Sequence, residues 1–266
     1  MQQKAIRRAI KRIIPRSAIT AVRSMIYYGN EHVCPVCGSS LRMLQDAGYG
    51  YPVLEELRVV GGMRKKSDIC PVCHSADRTR LVYLYVSHHS DLLNAPVSLL
   101  HFAPEDGLLK HFLACRNLDY VPSDINAERY RHVPGLRSFD LQNIGEPDGR
   151  FDWIICNHVI EHVPDDRRAM AELFRVLKSG GRAILQVPIS LVLSKTREDP
   201  TAATDEDRIR LFGQFDHLRL YAADYYDRLR DAGFRIELWD AFASDPERAA
   251  QWNLNPLEKL CVARKP

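Results

Sequence analysis

The sequence contains no apolar run of about 18 residues or more, which excludes a hydrophobic membrane-spanning helix. Its first residues lack the apolar core of a secretion signal, so a soluble, cytoplasmic protein is expected. Net charge is scarce as well. A formal +3 over 266 residues names no partner, because nucleic-acid binders announce themselves by clustered charge rather than by total. Cysteine is not spread as a disulfide framework would need. Of seven cysteines, four sit in two tight pairs, which suits a reducing compartment and a metal. What remains is 45% hydrophobic, enough for one large domain or a medium one with a small appendage.

The two pairs are Cys34-Pro-Val-Cys37 and Cys70-Pro-Val-Cys73. Each C-x-x-C wraps a tight turn that brings two thiolates to one point. Two such turns supply the four soft ligands of a closed, structural Zn²⁺ site with no position left for catalysis. A redox role is disfavoured because no helix-opening strand precedes either pair. His74 follows a better ligand and is set aside. The stretch between the pairs is expected to hold a β-hairpin around Gly48-Tyr49-Gly50 and a turn at Gly61-Gly62. Cys115, Cys156 and Cys261 read as small core residues.

Residues 4–16 place six basic side chains opposite isoleucines at helical spacing. This is a basic amphipathic helix, suited to an anionic lipid surface or to RNA, or equally to packing on its own protein. Three parts follow: this helix in 1–28, a zinc-ribbon-like domain in 29–76, and a larger domain in 77–266. The last alternates strands and helices. Strands are expected at 97–102, 119–121, 136–139, 151–156, 182–187, 234–239 and 259–262, with a turn at Gly180-Gly181. Helices between them imply right-handed crossovers and a mainly parallel, doubly wound α/β sheet, with one of the last two strands antiparallel at its edge.

The segment FDWIICNHVIEHV (151–163) runs from an apolar strand into a helical start that gathers His158, Glu161 and His162. Ligands bind where such strands end. His158-Val-Ile-Glu161-His162 also spells the H-x-x-E-H of inverted zinc peptidases, but it follows a buried strand and no third ligand is evident. The ordinary reading is that Glu161 and His162 brace the helix start. Residues 190–220 carry an acidic run at 205–207, read as a solvated loop, and then Gln214, Asp216, His217 and Arg219, candidates to meet an acceptor.

Together VSLLHFAPEDG, YVPSD, SFDLQNI and FDWIICNHVIEHVPDDRRAMAELFRVLKSGGRAILQVP resemble the class I S-adenosylmethionine-dependent methyltransferases, especially their methyltransferase-11-type branch, from about residue 97 to 264. The resemblance implies a Rossmann-like, seven-stranded sheet and S-adenosylmethionine as cofactor. It implies that the loop His101, Ala103, Glu105, Gly107 cups the methionine part and that Asp124 binds the ribose. Asp140 and Leu141 would flank adenine, and Asn157 and His158 would lie next to the sulfonium. Where the family keeps three glycines in the first loop, this chain keeps only Gly107. Ala103 is expected at negative φ in place of the first glycine, and Glu105 to reach the cofactor's ammonium group. A base, if one is needed, is His217 or His158, with Asp216 beside it; a histidine near its ordinary pKa suits that task.

Three functions are compatible with these features. One is methyl transfer to a small-molecule or glycan acceptor. Another is methylation of rRNA or tRNA gripped by the basic helix with Arg64, Lys65 and Lys66. The third is an inactive, partner-binding relative. The residues do not specify the oligomeric state.

Overall fold

A computed structural model of the chain describes residues 16–266. The basic helix expected at 4–16 falls almost wholly outside them, and a helix, Arg16–Ile26, follows.

The cysteine segment contains β1 (Tyr28–Val33), β2 (Ser40–Leu41), β3 (Gln45–Ala47), β4 (Val59–Val60) and β5 (Lys65–Ile69). β1 pairs antiparallel with β2, and β3 with β5. The expected hairpin at 48–50 does not form. Pro52 opens a short helix, Pro52–Glu56, so the arms β3 and β5 enclose a helix and a strand instead of a tight turn. The segment's own core is small, built on Cys34, Val36, Leu41, Leu44, Cys70, Val72 and Cys73.

The larger part adds β6 (Val97–Phe102), β7 (Leu118–Ser123), β8 (Phe151–Asn157), β9 (Leu177–Gln186), β10 (Ile189–Ser190), β11 (Arg197–Glu198), β12 (Arg219–Leu220), β13 (Arg235–Trp239) and β14 (Leu260–Arg264). Its central sheet has six strands in the order β13-β14-β9-β8-β6-β7. The four from β9 to β7 are parallel. Adjacent residues on these strands point to opposite faces: Leu100, Ile154 and Leu185 enter one core, and Leu99, Ile155 and Ile184 the other. Burial on both faces explains why the strands read as continuous apolar runs.

Three expectations are corrected. The seventh strand, at 136–139, is reduced to a single parallel bridge between Ser123 and Arg137. Gly135 at φ 70° precedes it, and an Asx turn at Asp140 ends it after one rung. The antiparallel strand is β14, which lies between β9 and β13 rather than at the edge. Gly180-Gly181 does not turn the chain but forms a bulge within β9, where the register with β8 shifts between Leu177 and Arg182.

Three of the contacts that join the two parts are these. β4 pairs antiparallel with β10, immediately past the end of β9. Val53, Leu54 and Val59 share a core with Ala202, Phe212 and Leu220. Arg80, on the helix Asp77–His88, is fully buried and bonds Asp68 Oδ1 (2.8 Å), the Asp68 carbonyl (2.7 Å) and the Trp252 carbonyl (2.7 Å).

Candidate functional site

The four paired cysteines converge. Their sulfurs lie within 4.8 Å of one another, with Cys34 to Cys73 at 3.6 Å and Cys37 to Cys70 at 3.8 Å. Four thiolates about 2.3 Å from one Zn²⁺ stand about 3.8 Å apart, so the donor set fits the ion without rearrangement. None of the four is in a disulfide. The two knuckles are built alike: Gly38 N donates to the Cys34 carbonyl (2.8 Å) and His74 N to the Cys70 carbonyl (2.9 Å). Each closing residue has positive φ, Gly38 at 70° and His74 at 62°. His74 turns away from the sulfurs toward Arg23, so it is not a fifth donor.

A cleft of about 850 Å³ opens between the cysteine segment and the carboxyl ends of the parallel strands. It sits where β7 and β8 leave β6 on opposite sides, the switch point at which doubly wound sheets bind ligands. Glu105, just past β6, marks the junction. Its carboxylate accepts from His101 on β6 (2.8 Å) and from Asn157 Nδ2 on β8 (3.2 Å). Burial works against this carboxylate, but His101 and Asn157 outweigh it and hold it below the usual carboxylate range. Gly61 to Lys65 form the opposite wall. A Cβ on Gly61 would stand 3.0 Å from His158 Cε1, so the cysteine segment closes directly onto the end of β8.

Past β8 the expected helical start is one 3-10 turn, Ile160–His162, and His158 ahead of it adopts φ 54°. That turn presents Glu161 and His162 to the cleft, where they meet His217 from fifty-five residues later. The His162 and His217 rings are edge to face with centroids 4.7 Å apart. The His217 segment is clamped onto the turn. Leu218 N donates to the Glu161 carbonyl (3.0 Å), and Arg219 donates to the carbonyls of Ile160 (3.2 Å) and Pro164 (2.9 Å) and to Glu198 (2.7 Å). Arg219 is therefore a buried positioning residue and not an acceptor contact. Gln214 bonds Asp216 Oδ1 (2.7 Å) at the rim.

Burial pushes His217 down to about 4, and burial together with Arg78 holds His158 below the ordinary imidazole value. Both are neutral at neutral pH, which corrects the expectation of a histidine near its usual pKa. Burial raises Glu161, yet His158, His162 and His217 overcome it and hold its carboxyl down at about 2.

Of the residues expected around the donor, Ala103, Glu105, Asn157 and His158 line the cleft. Ala103 has φ 46°, so it carries the strained glycine conformation itself; the expected negative φ does not occur. His101 lies beneath the floor, between Glu105 and the Tyr120 hydroxyl (3.1 Å). Gly107 faces the cysteine segment, where a Cβ would meet Val36 Cγ1 at 3.0 Å. Asp124 accepts from Asn126 N (2.7 Å) and Asp140 from Gln142 N (2.9 Å), and Leu141 is in the core; none of these three lines the cleft. Tyr130, which the sequence reading did not single out, does line it. Burial, helped by Asp124, Glu105 and Asp106, pushes its hydroxyl up to about 12. Of the proposed basic path, Arg64 pairs with Asp46 (3.2 Å) and Lys65 with Asp77 (2.8 Å), so these two cations are already paired within the protein.

The acidic run 205–207 is not a loop. It forms the first turn of the helix Asp205–Phe212, capped by Thr204, where negative charge suits the helix dipole. Among the described residues no helix is long and apolar enough to cross a membrane.

Residues 75–238 match the methyltransferase domain family. The chain is 29% identical over 121 residues to a probable S-adenosylmethionine-dependent methyltransferase of Mycolicibacterium smegmatis, covering 45% of this chain and 43% of that protein. It is also 29% identical over 132 residues to a trans-aconitate 2-methyltransferase of Variovorax paradoxus, covering 45% of this chain and 48% of that one. The chain thus spans under half the length of these curated relatives. A solved S-adenosylmethionine-dependent methyltransferase from Mesorhizobium loti aligns at 14% identity and TM-score 0.47, over 72% of this chain and 99% of that one. With the family matched over residues 75–238, the chain belongs to the methyltransferase domain family.

Proposed function

We propose that the protein transfers a methyl group from S-adenosylmethionine to a small-molecule acceptor, with the four-cysteine site holding a structural Zn²⁺. The observation that carries the reading is the cleft at the switch point of a family-matched sheet, with Glu105 fixed there by side chains of both β6 and β8. The relative named for trans-aconitate supports a small acceptor.

The residues available suit the donor. Glu105 offers a carboxylate to an ammonium group, and Asp124 offers one to a diol. Asp140 and the backbone of Leu141 offer an acceptor and a donor to adenine. Asn157 Oδ1 is buried without a hydrogen-bond partner, a polar atom that a bound ligand would satisfy. S-adenosylmethionine supplies an electrophilic methyl on a sulfonium. The chain's own work is then alignment, which accounts for most of the gain in such a displacement. His158 and His217, both neutral, orient the acceptor, and the wall from Gly61 to Lys65 keeps water out.

Calorimetry with S-adenosylhomocysteine tests the reading. Wild type is expected to bind, and Asp124→Ala to bind about 10- to 100-fold more weakly, the loss expected for hydrogen bonds to a charged group. Absence of binding by wild type would favour an inactive, partner-binding protein. Unchanged affinity in Asp124→Ala would remove the ribose assignment.

A further inference from the structure

The acceptor end of the cleft holds a buried carboxylate that the reading above leaves unexplained. Glu161 is 1% exposed, and neither of its oxygens has a hydrogen-bond partner among the described residues. The nearest group of opposite character is His158 Nδ1 at 3.5 Å. A carboxylate removed from water is retained when it is paired or coordinates a metal. His217 Nδ1 is likewise buried and without a partner.

His162 adds the second indication. Its Nδ1 lies 3.1 Å from the Asp216 carbonyl, a bond in which that nitrogen must be the donor, and 3.5 Å from the Asp216 carboxylate. In neutral imidazole the proton on Nδ1 leaves the lone pair on Nε2. An imidazole whose other nitrogen donates to a carbonyl or carboxylate is the usual arrangement of a metal-bound histidine. One donor atom each from Glu161, His162 and His217 falls within 4.8 Å of the others. That spread contracts to roughly 3.4 Å once each donor stands about 2.1 Å from a shared ion.

We propose that Glu161, His162 and His217 bind a first-row divalent cation, separate from the four-cysteine site, with its open coordination positions facing the cleft. Two imidazoles and one carboxylate match Zn²⁺ or Fe²⁺ and disfavour Mg²⁺ and Ca²⁺, which take oxygen ligands. The open positions would take a carboxylate or hydroxyl oxygen of the acceptor, which narrows the substrate class to oxygen-bearing molecules. The ion site stands on the three side chains; the role of its open face rests on the methyl-transfer reading.

The test is cobalt substitution of the full chain. Wild type is expected to bind two equivalents of Co²⁺, one with the intense thiolate charge-transfer absorption of the cysteine site and one without it. Glu161→Gln and His217→Gln should each lose the second equivalent and keep the thiolate band, which also reports that the chain is folded. One equivalent in wild type, or two in both variants, would overturn the site. S-adenosylhomocysteine titrated into the same wild-type samples separates the two readings. Two equivalents of cobalt without nucleoside binding would leave the ion site standing and overturn its assignment to the acceptor.

Discussion

At the scale of single residues, the clearest strain lies at Ala103. Its φ of 46° places a methyl-bearing residue in the left-handed region, which costs about 1–2 kcal/mol. Glycine would relieve this but gives back about 0.4–1 kcal/mol through the greater freedom of its unfolded chain. Ala103→Gly is therefore expected to raise Tm by a few degrees at most in a thermal melt; a lower Tm would contradict the left-handed backbone. Glu258 supplies a second prediction. It is buried, accepts from Gln186 Nε2 (3.3 Å), and is pushed up to about 7 chiefly by burial and then by the Asp77 carboxylate. The folded state thus holds a proton that the unfolded chain releases near 4.3. The associated stability is fully present below about 4.3 and is lost as pH rises through about 7. Denaturant midpoints measured between pH 4 and pH 8 should fall more steeply for wild type than for Glu258→Gln, and parallel profiles would contradict the raised value.

At the scale of elements, the loop before β12 does more to shape the cleft than its polar sequence suggests. Arg219 does not reach the cleft itself but fastens the His217 segment to the turn after β8. Arg219→Met removes a buried cation from three carbonyls and from Glu198, and about 3 kcal/mol of stability should go with it. Hydrogen exchange across 213–220 should rise more than exchange in β8 or β9; protection unchanged in that loop would refute the clamp. The elements also show where local reading succeeds. β6, β8 and β9 are long apolar runs buried on both faces, and helix-separated strands of that kind are visible in sequence. The strand expected at 136–139, Leu-Arg-Ser-Phe, is short and half polar, and pairing stops after one rung, bounded by a glycine and an Asx turn. Strand formation there was decided by the neighbours available for pairing.

At the scale of the whole molecule, the cysteine segment is both a fold of its own and one wall of the cleft. Its core is only a handful of side chains, three of them cysteines, so the proposed metal would supply most of what holds it together. Through Arg80 and the β4–β10 pair its loss is transmitted to the larger domain. Removing the proposed zinc, by chelator or by Cys70→Ser, is expected to lower Tm and weaken S-adenosylhomocysteine binding together. A protein whose melting is unaffected by both treatments would show that the segment does not depend on an ion.

The sequence alone determined the α/β class, the order of the main strands along the chain and the four-cysteine cluster, because each rests on periodicity or on spacings within a few dozen residues, and its motifs carried the resemblance to the family. Only the tertiary structure decided what faces the cleft. It brought His217 to Glu161 and His162, turned Gly107 toward Val36, left Asp124 and Asp140 off the cleft's lining, and placed Tyr130 on it. The physical reason is range. A side chain's surroundings here are set by sheet order and by buried clamps such as Arg219 and Arg80, which join segments fifty to nearly two hundred residues apart.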